Sequence, residues 1–276
     1  MKDRQLVKPK RSERLVALTK YLLDRPSKVF PFSYFGGKFS AAKSTLSEDV
    51  QIIKESFEDF SLGEIKTLPG AAGGVCFLPS HAKEEMTSFL SALAAKLSAP
   101  ERIVSGGFIY MSDLIFDPAV AMMLGDIIYQ RMSVKYRPDY IMTVETKGIP
   151  LALMTARAFG VPLVTARRDS HVTEGSSVGI NYLSGSTRFI QTMSLPKRAL
   201  PPDSSVIIVD DFMKAGGSAK GLVDLAHEVG AKVQGVCVLM ATKEPKAKML
   251  GNYTALLSLN KIDEIKKVIE IEMFEE

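Results

Sequence analysis

Apolar positions in the first part of the chain recur with the period of an α-helix. Leu15, Val16, Leu18, Tyr21, Leu22 and Leu23 make one stripe between Arg11 and Asp24. It stops at Arg25-Pro26, because proline drives the residue before it out of the helical region. Residues 32–38 read as a short helical piece. Leu46, Val50, Ile53 and Phe57 then fall at i, i+4, i+7 and i+11, so a second long helix starting at Ala41 has one face to bury. Beyond it, 63–68 and 74–78 are strand-like runs around Pro69-Gly70-Ala71-Ala72-Gly73. Helix, short helix, helix and β-hairpin is the order of a winged helix-turn-helix, whose third helix enters the major groove. The plainer alternative is a helical cap on a larger domain, followed by an incidental hairpin.

From residue 81 the pattern changes to an alternation of strands and helices. A helix over 81–97, with Met86, Phe89, Leu90, Leu93 and Leu97 on one side, connects the two parts. Asp117 is placed to cap a helix with Pro118 at its first position. Strands are predicted at 140–144, 161–165, 206–209, 233–240, 255–259 and 268–273. Helices follow the first and third of these, the latter with Leu222, Leu225, Ala226 and Val229 at helical spacing. Such an alternation gives a mostly parallel α/β sheet. The chain therefore divides into an α+β domain over residues 1–80 and an α/β domain over residues 81–276.

Composition narrows the class. With 276 residues, 46% of them hydrophobic, the chain can bury a sizeable core. Its apolar runs are short and interrupted, and the start has no signal-like segment, which predicts a cytoplasmic protein without membrane spans. The two cysteines, Cys76 and Cys237, sit in apolar strand-like runs and suit buried thiols in a reducing compartment. His81, His171 and His227 share no ligand spacing, so no metal site is expected.

Charge is uneven along the chain. The first 45 residues hold 11 Lys and Arg against 3 Asp and Glu, whereas residues 81–276 balance at 22 of each. A basic front is the electrostatic footprint of a polyanion binder. At the start of the second long helix, Lys43, Ser44, Thr45 and Ser47 are small or cationic and able to contact phosphates and base edges. Arg11, Arg14 and Lys66 are expected on phosphates. Residues 1–10, with Lys2, Arg4, Lys8 and Lys10, read as a basic arm.

The densest chemistry lies at Val206-Ile207-Ile208-Val209-Asp210-Asp211-Phe212-Met213-Lys214-Ala215-Gly216-Gly217-Ser218. Here a buried strand over 206–209 is followed by a loop that carries two carboxylates and a glycine pair, and then by a helix. Gly216, Gly217, the helix start and the Ser218 hydroxyl form a cradle for a phosphate. Adjacent carboxylates beside an anion site make sense if the ligand carries a sugar, whose vicinal hydroxyls are donors. A phosphate and a diol on one loop indicate a ribose 5-phosphate. Thr146-Lys147-Gly148 is a second turn between a strand and a helix, suited to an anion. Arg167 and Arg168 end another strand, where they either meet a pyrophosphate or pair with Asp169. The stretch 171–202 is polar, rich in Gly and Ser, and carries two strand-like pieces.

The motif from Asp210 to Ser218 resembles the phosphoribosyl pyrophosphate (PRPP) signature of type I phosphoribosyltransferases. That resemblance implies an acidic pair on the ribose hydroxyls, a 5-phosphate on the Gly-rich turn and a pyrophosphate loop at Thr146-Lys147-Gly148. It also implies a flexible loop over 171–202. Together with 43–49 and 69–75, the motif makes the whole chain resemble the purine operon repressors of Gram-positive bacteria. The family implies a homodimeric repressor of purine synthesis and transport genes, which binds a double-stranded DNA operator and is released by PRPP, with or without Mg2+. Hypoxanthine-guanine transferases carry a carboxylate at the fifth motif position, where it assists proton movement on the purine. Lys214 stands there in this chain, and a cation cannot accept that proton. Transferases with alanine at that place are active, so the departure argues against that one enzyme class only. A ribose-phosphate site kept with lysine at this position favours a sensor, and neither transferase activity nor a required cofactor is expected. The alternative is a purine salvage phosphoribosyltransferase with an accessory basic domain. Phe212 and Lys214, with Tyr110 as a second wall, are further placed to take a purine nucleotide that competes with PRPP.

Overall fold

The computed structural model describes residues 9–70, 73–168, 175–183 and 190–274. They form two compact units, Met1–Ala82 with Ala158–Gly160, and Lys83–Arg157 with Val161–Glu276.

In the first unit, helices α1 (Arg11–Asp24), α2 (Phe32–Phe39) and α3 (Lys43–Asp59) precede an antiparallel pair, β1 (Glu64–Leu68) and β2 (Gly74–Leu78). Of the predicted α1 stripe Leu18 and Leu22 are buried while Val16 is 73% exposed; with Phe35 and Phe39 from α2 and the whole α3 stripe of Leu46, Val50, Ile53 and Phe57, they pack on Ile65, Val75 and Phe77. Glu13 reaches back to the Lys10 N–H at 2.7 Å and so closes the first turn of α1. Between α1 and α2 the chain adds a one-residue bridge to the hairpin, since Phe30 and Val75 exchange N–H to O bonds of 2.9 Å in both directions. Gly74 makes that approach feasible, because a Cβ on it would stand 2.1 Å from the Phe30 carbonyl oxygen. The result is a winged helix-turn-helix.

The second unit opens with α4 (Lys83–Leu97), a short hairpin of β3 (Ile103–Val104) and β4 (Phe108–Ile109), and helices α5 (Ser112–Ile115) and α6 (Pro118–Met132). Asp117 caps α6 as its sequence predicts, accepting from Ala119 and Val120 N–H at 2.8 and 3.1 Å. Then follow β5 (Tyr140–Val144), α7 (Ile149–Phe159), β6 (Leu163–Ala166), β7 (Ser177–Leu183), β8 (Ile190–Pro196), β9 (Ser205–Met213), α8 (Gly217–Glu228), β10 (Lys232–Thr242), β11 (Thr254–Asp263) and β12 (Val268–Met273). Six strands make one sheet in the order β12-β11-β10-β9-β5-β6, parallel except for the β11/β12 pair. Its core is the apolar interior of β5, β9 and β10, where Ile141, Ile207, Ile208 and Val238 are fully buried.

Two differences from the sequence reading matter for the site. Strand β9 runs on to Met213, because β10 pairs with it as far as Met213 and holds the acidic pair inside the strand. The two strand-like pieces of the polar stretch after β6 pair antiparallel as β7 and β8, where the resemblance implies a flexible loop. Its alternating Val178, Ile180 and Tyr182, with Met193 and Leu195, pack into the core beside α8. Gly221 of α8 permits that packing: a Cβ there would be 3.0 Å from Met193 Cε and 3.1 Å from the Tyr182 ring. Residues 169–174 and 184–189, including Asp169, His171, Glu174 and Ser184-Gly185-Ser186, lie outside the described residues, as do residues 1–8 of the basic arm over 1–10.

Candidate functional site

The switch in strand order falls between β9 and β5, and both strands end on the same edge of the sheet. Open α/β sheets bind ligands at such a point. Met142 pairs with Ile208, so two residues further along each strand are Val144 and Asp210. The Glu145-Thr146-Lys147-Gly148 turn therefore emerges beside the acidic pair.

Asp210 is 5% exposed. Burial, and next the negative Asp211, hold its carboxyl well above the usual carboxylate range, while Arg168 draws it the other way. Asp211 is half-buried, and its N–H donates to Asp210 Oδ1 at 3.0 Å. Gly148 fits over this carboxylate because it lacks a side chain. A Cβ there would lie 2.7 Å from Asp210 Oδ1 and 2.6 Å from Thr143 Oγ1. Thr143 is fully buried, and its hydroxyl has no hydrogen-bond partner among the described residues. Thr146 and Lys147 are exposed at the mouth of the same turn.

After β9, residues 212–219 line a pocket of about 70 Å3. Gly216 caps α8 with φ of +85°, a backbone conformation that favours glycine. The first helical bond runs from Lys220 N–H to Gly216 O at 2.8 Å. The N–H groups of Gly217, Ser218 and Ala219 consequently point out of the helix start, where the dipole favours an anion. Phe212 is half-buried in the wall, and Lys214 is exposed at the rim.

Arg167 is fixed through its backbone, which exchanges hydrogen bonds of 2.9 and 2.7 Å with Ser194 of β8. Arg168 is exposed, with its N–H on Glu145 Oε1 at 2.7 Å. That contact ties the ends of β5 and β6 together. Tyr110, at the end of β4, is 48% exposed and does not line the pocket of residues 212–219. Sequence reasoning missed Glu145, Thr143 and the segment after β10, since nothing in local spacing relates them to the motif.

In the winged-helix unit, Lys43, Ser44 and Ser47 are exposed and Thr45 is half-buried on the first turns of α3. The first turn carries no acidic residue. Glu48, Glu55, Glu58 and Asp59 make the rest of the helix unfavourable to phosphates. Lys66 is exposed on β1. Arg11 is half-exposed and pairs with Glu48 at 3.4 Å and Asp49 at 3.2 Å. Arg14 requires a correction: expected on phosphates, it is 6% exposed. Its Nε and Nη2 donate to Asp49 at 2.7 and 3.2 Å, and Nη1 donates to the Pro9 carbonyl at 3.0 Å. A guanidinium spent on a buried carboxylate holds α1 to α3 and does not face a ligand.

These features define a class: a winged-helix domain joined to a phosphoribosyltransferase-fold domain. Residues 10–79 match the family model of the bacterial purine repressor N-terminal domain, and residues 112–274 match that of the phosphoribosyl transferase domain. The chain is similar to the purine biosynthesis transcriptional repressor PurR of Bacillus subtilis, at 43% identity over 96% of this chain and 93% of that one. It is also similar to the purine biosynthesis transcriptional activator PurR of Lactococcus lactis, at 36% identity over 96% and 97%. The adenine phosphoribosyltransferase structure from Saccharomyces cerevisiae shares the second unit's fold, with a TM-score of 0.53 at 24% identity over 61% of this chain and 97% of that one. The chain belongs to the PurR family of purine biosynthesis transcriptional regulators.

Proposed function

We propose that the chain is a DNA-binding repressor of purine biosynthesis and transport genes, with PRPP as the inducer that weakens its hold on an operator. The observation that carries this reading is the cradle at the start of α8 set directly after Asp210 and Asp211. It offers donors to a phosphate and acceptors to a ribose diol on one continuous segment. Thr146, Lys147 and Gly148 emerge beside Asp210 and supply a turn for the pyrophosphate, with Arg168 near enough to affect the Asp210 carboxyl. The carboxylates of Asp210 and Asp211 suit a Mg2+ carried in with PRPP; the residues would hold the ligand's hydroxyls and its metal together.

The fifth motif position argues against purine transfer of the hypoxanthine-guanine kind and favours regulation. Lys214 stands exposed at the pocket rim and has no proton-accepting capacity. Repression is preferred to activation because the relative named a repressor is the more similar of the two, at 43% against 36% identity. The DNA face consists of Lys43, Ser44, Thr45 and Ser47 with Arg11 and Lys66, and two subunits would present it to a two-fold operator. No helix among the described residues is long and apolar enough to cross a membrane. A repressor of genes would act in the cytoplasm, where the DNA is.

A gel shift on a purine-gene promoter, with and without PRPP, tests the reading beside an assay for nucleotide formation from PRPP and purine bases. PRPP should release the DNA and no nucleotide should form. Steady turnover of any purine base would instead favour the salvage transferase.

A further inference from the structure

The anion cradle has an outer layer that its motif does not contain. Lys248, in the segment between β10 and β11, donates from Nζ to the Lys214 carbonyl, to Thr242 O at 2.7 Å and to Thr242 Oγ1 at 3.0 Å. One residue on, Met249 N–H donates to the Ala215 carbonyl at 2.8 Å. Thr242 Oγ1 lies 2.6 Å from Glu244 O and 3.2 Å from Lys214 O, which closes the network over the end of β10.

These contacts fix the direction of two peptide planes. In a trans peptide the C=O and N–H point to opposite sides. The Lys214 and Ala215 carbonyls face Lys248 and Met249, neither of which lines the pocket, so the N–H groups of Ala215 and Gly216 point the opposite way. Both residues line the pocket. A phosphate cradle depends on such convergent N–H groups being set before the ligand arrives. An ammonium on one carbonyl also polarises that peptide, making its N–H a better donor.

We infer that Lys248 is a positioning residue of the effector site, holding the Lys214 to Gly216 backbone in its phosphate-binding form. The inference rests on the proposed PRPP reading. The outer layer also explains why this lysine is drawn in despite partial burial, which lowers its pKa against a small opposing pull from Glu244.

Calorimetric titration of the full-length protein with ribose 5-phosphate, PRPP and inorganic pyrophosphate tests this. Lys248→Met should weaken ribose 5-phosphate and PRPP by about tenfold or more, the scale of a hydrogen bond to a charged group. Lys248→Arg should recover most of the loss, and pyrophosphate binding should be unchanged, since its turn lies on β5. Thr242→Val, which removes only one acceptor of the ammonium, should give a smaller loss in the same pattern and serves if Lys248→Met does not fold. Unchanged ribose 5-phosphate affinity, or an equal loss for pyrophosphate, would overturn the role of Lys248 alone. Wild-type protein that binds none of the three would overturn the PRPP reading and this inference with it.

Discussion

Arg14 on α1 and Asp49 on α3 meet inside the winged-helix unit as a two-point pair, Nε to Oδ2 at 2.7 Å and Nη2 to Oδ1 at 3.2 Å. The Asp49 side chain is fully buried and that of Arg14 8% exposed, so removing one partner strands a charge. Asp49→Ala should cost about 3–5 kcal/mol, the usual range for breaking a buried pair. Thermal and urea unfolding of the full-length protein check this, and Arg14→Met with Asp49→Leu should restore much of the loss. An Asp49→Ala protein as stable as wild type would show that the pair does not hold the helices.

The same pair predicts which cations titrate against salt. Lys43→Ala and Lys66→Ala should each lower the salt slope of operator binding by about one unit, whatever the DNA sequence. Arg14→Lys should leave the slope unchanged while lowering stability. Binding measured across a salt series separates the two; an unchanged slope in Lys43→Ala would move the DNA face away from α3.

The wing depends on a missing side chain. Gly74→Ala places a Cβ 2.1 Å from the Phe30 carbonyl oxygen, on backbone that cannot step aside without breaking the Phe30 and Val75 bonds. The variant should lose about 1–3 kcal/mol and bind operator less tightly. Gly70→Ala meets no atom of the described residues within 4 Å but sits at φ of +101°, so backbone strain opposes it. Its loss should be the smaller of the two, and comparative melting curves read the difference.

The buried Asp210 carboxyl should make the proposed PRPP binding depend on pH. Its folded carboxyl is raised, so it stays protonated above the ordinary carboxylate range, and a ribose diol is better accepted by the ionised form. The sign follows: affinity for PRPP should rise as pH rises through the raised value, with a proton released on binding. Asp210→Asn should weaken PRPP and flatten that part of the profile, leaving DNA binding in the absence of PRPP intact. Calorimetry in buffers of different ionisation enthalpy measures the proton. A profile for Asp210→Asn that parallels the wild type would assign the dependence to the ligand's own phosphates.

Phe212 in the pocket wall and Lys214 at its rim bear on a second ligand. A purine nucleotide should bind with its base against Phe212 and a phosphate group toward Lys214, compete with PRPP, and favour the DNA-bound state. Phe212→Ala should weaken the nucleotide by more than it weakens PRPP. Titrations in which nucleotides bind without displacing PRPP would reject the competition.

What the sequence determined alone was local in origin. The stripes of α1 and α3, the Asp117 cap and the β-branched run before Asp210 follow from periods and caps that short segments obey wherever they fold. The Gly216 turn and the acidic pair were legible for the same reason, since cradle and carboxylates lie on one continuous stretch. Tertiary structure decided the rest by bringing together residues far apart in the chain. Pairing with β10 carried β9 on to Met213; Asp49 took Arg14 out of the proposed DNA face; pairing of β7 with β8 and packing beside α8 joined two strand-like pieces of a polar stretch. Lys248, 34 positions from Lys214, reaches the cradle because β10 lies beside β9. Its local sequence, Lys243-Glu244-Pro245-Lys246-Ala247-Lys248, reads as solvated charge, and its partner is a main-chain carbonyl that no side-chain pattern can announce.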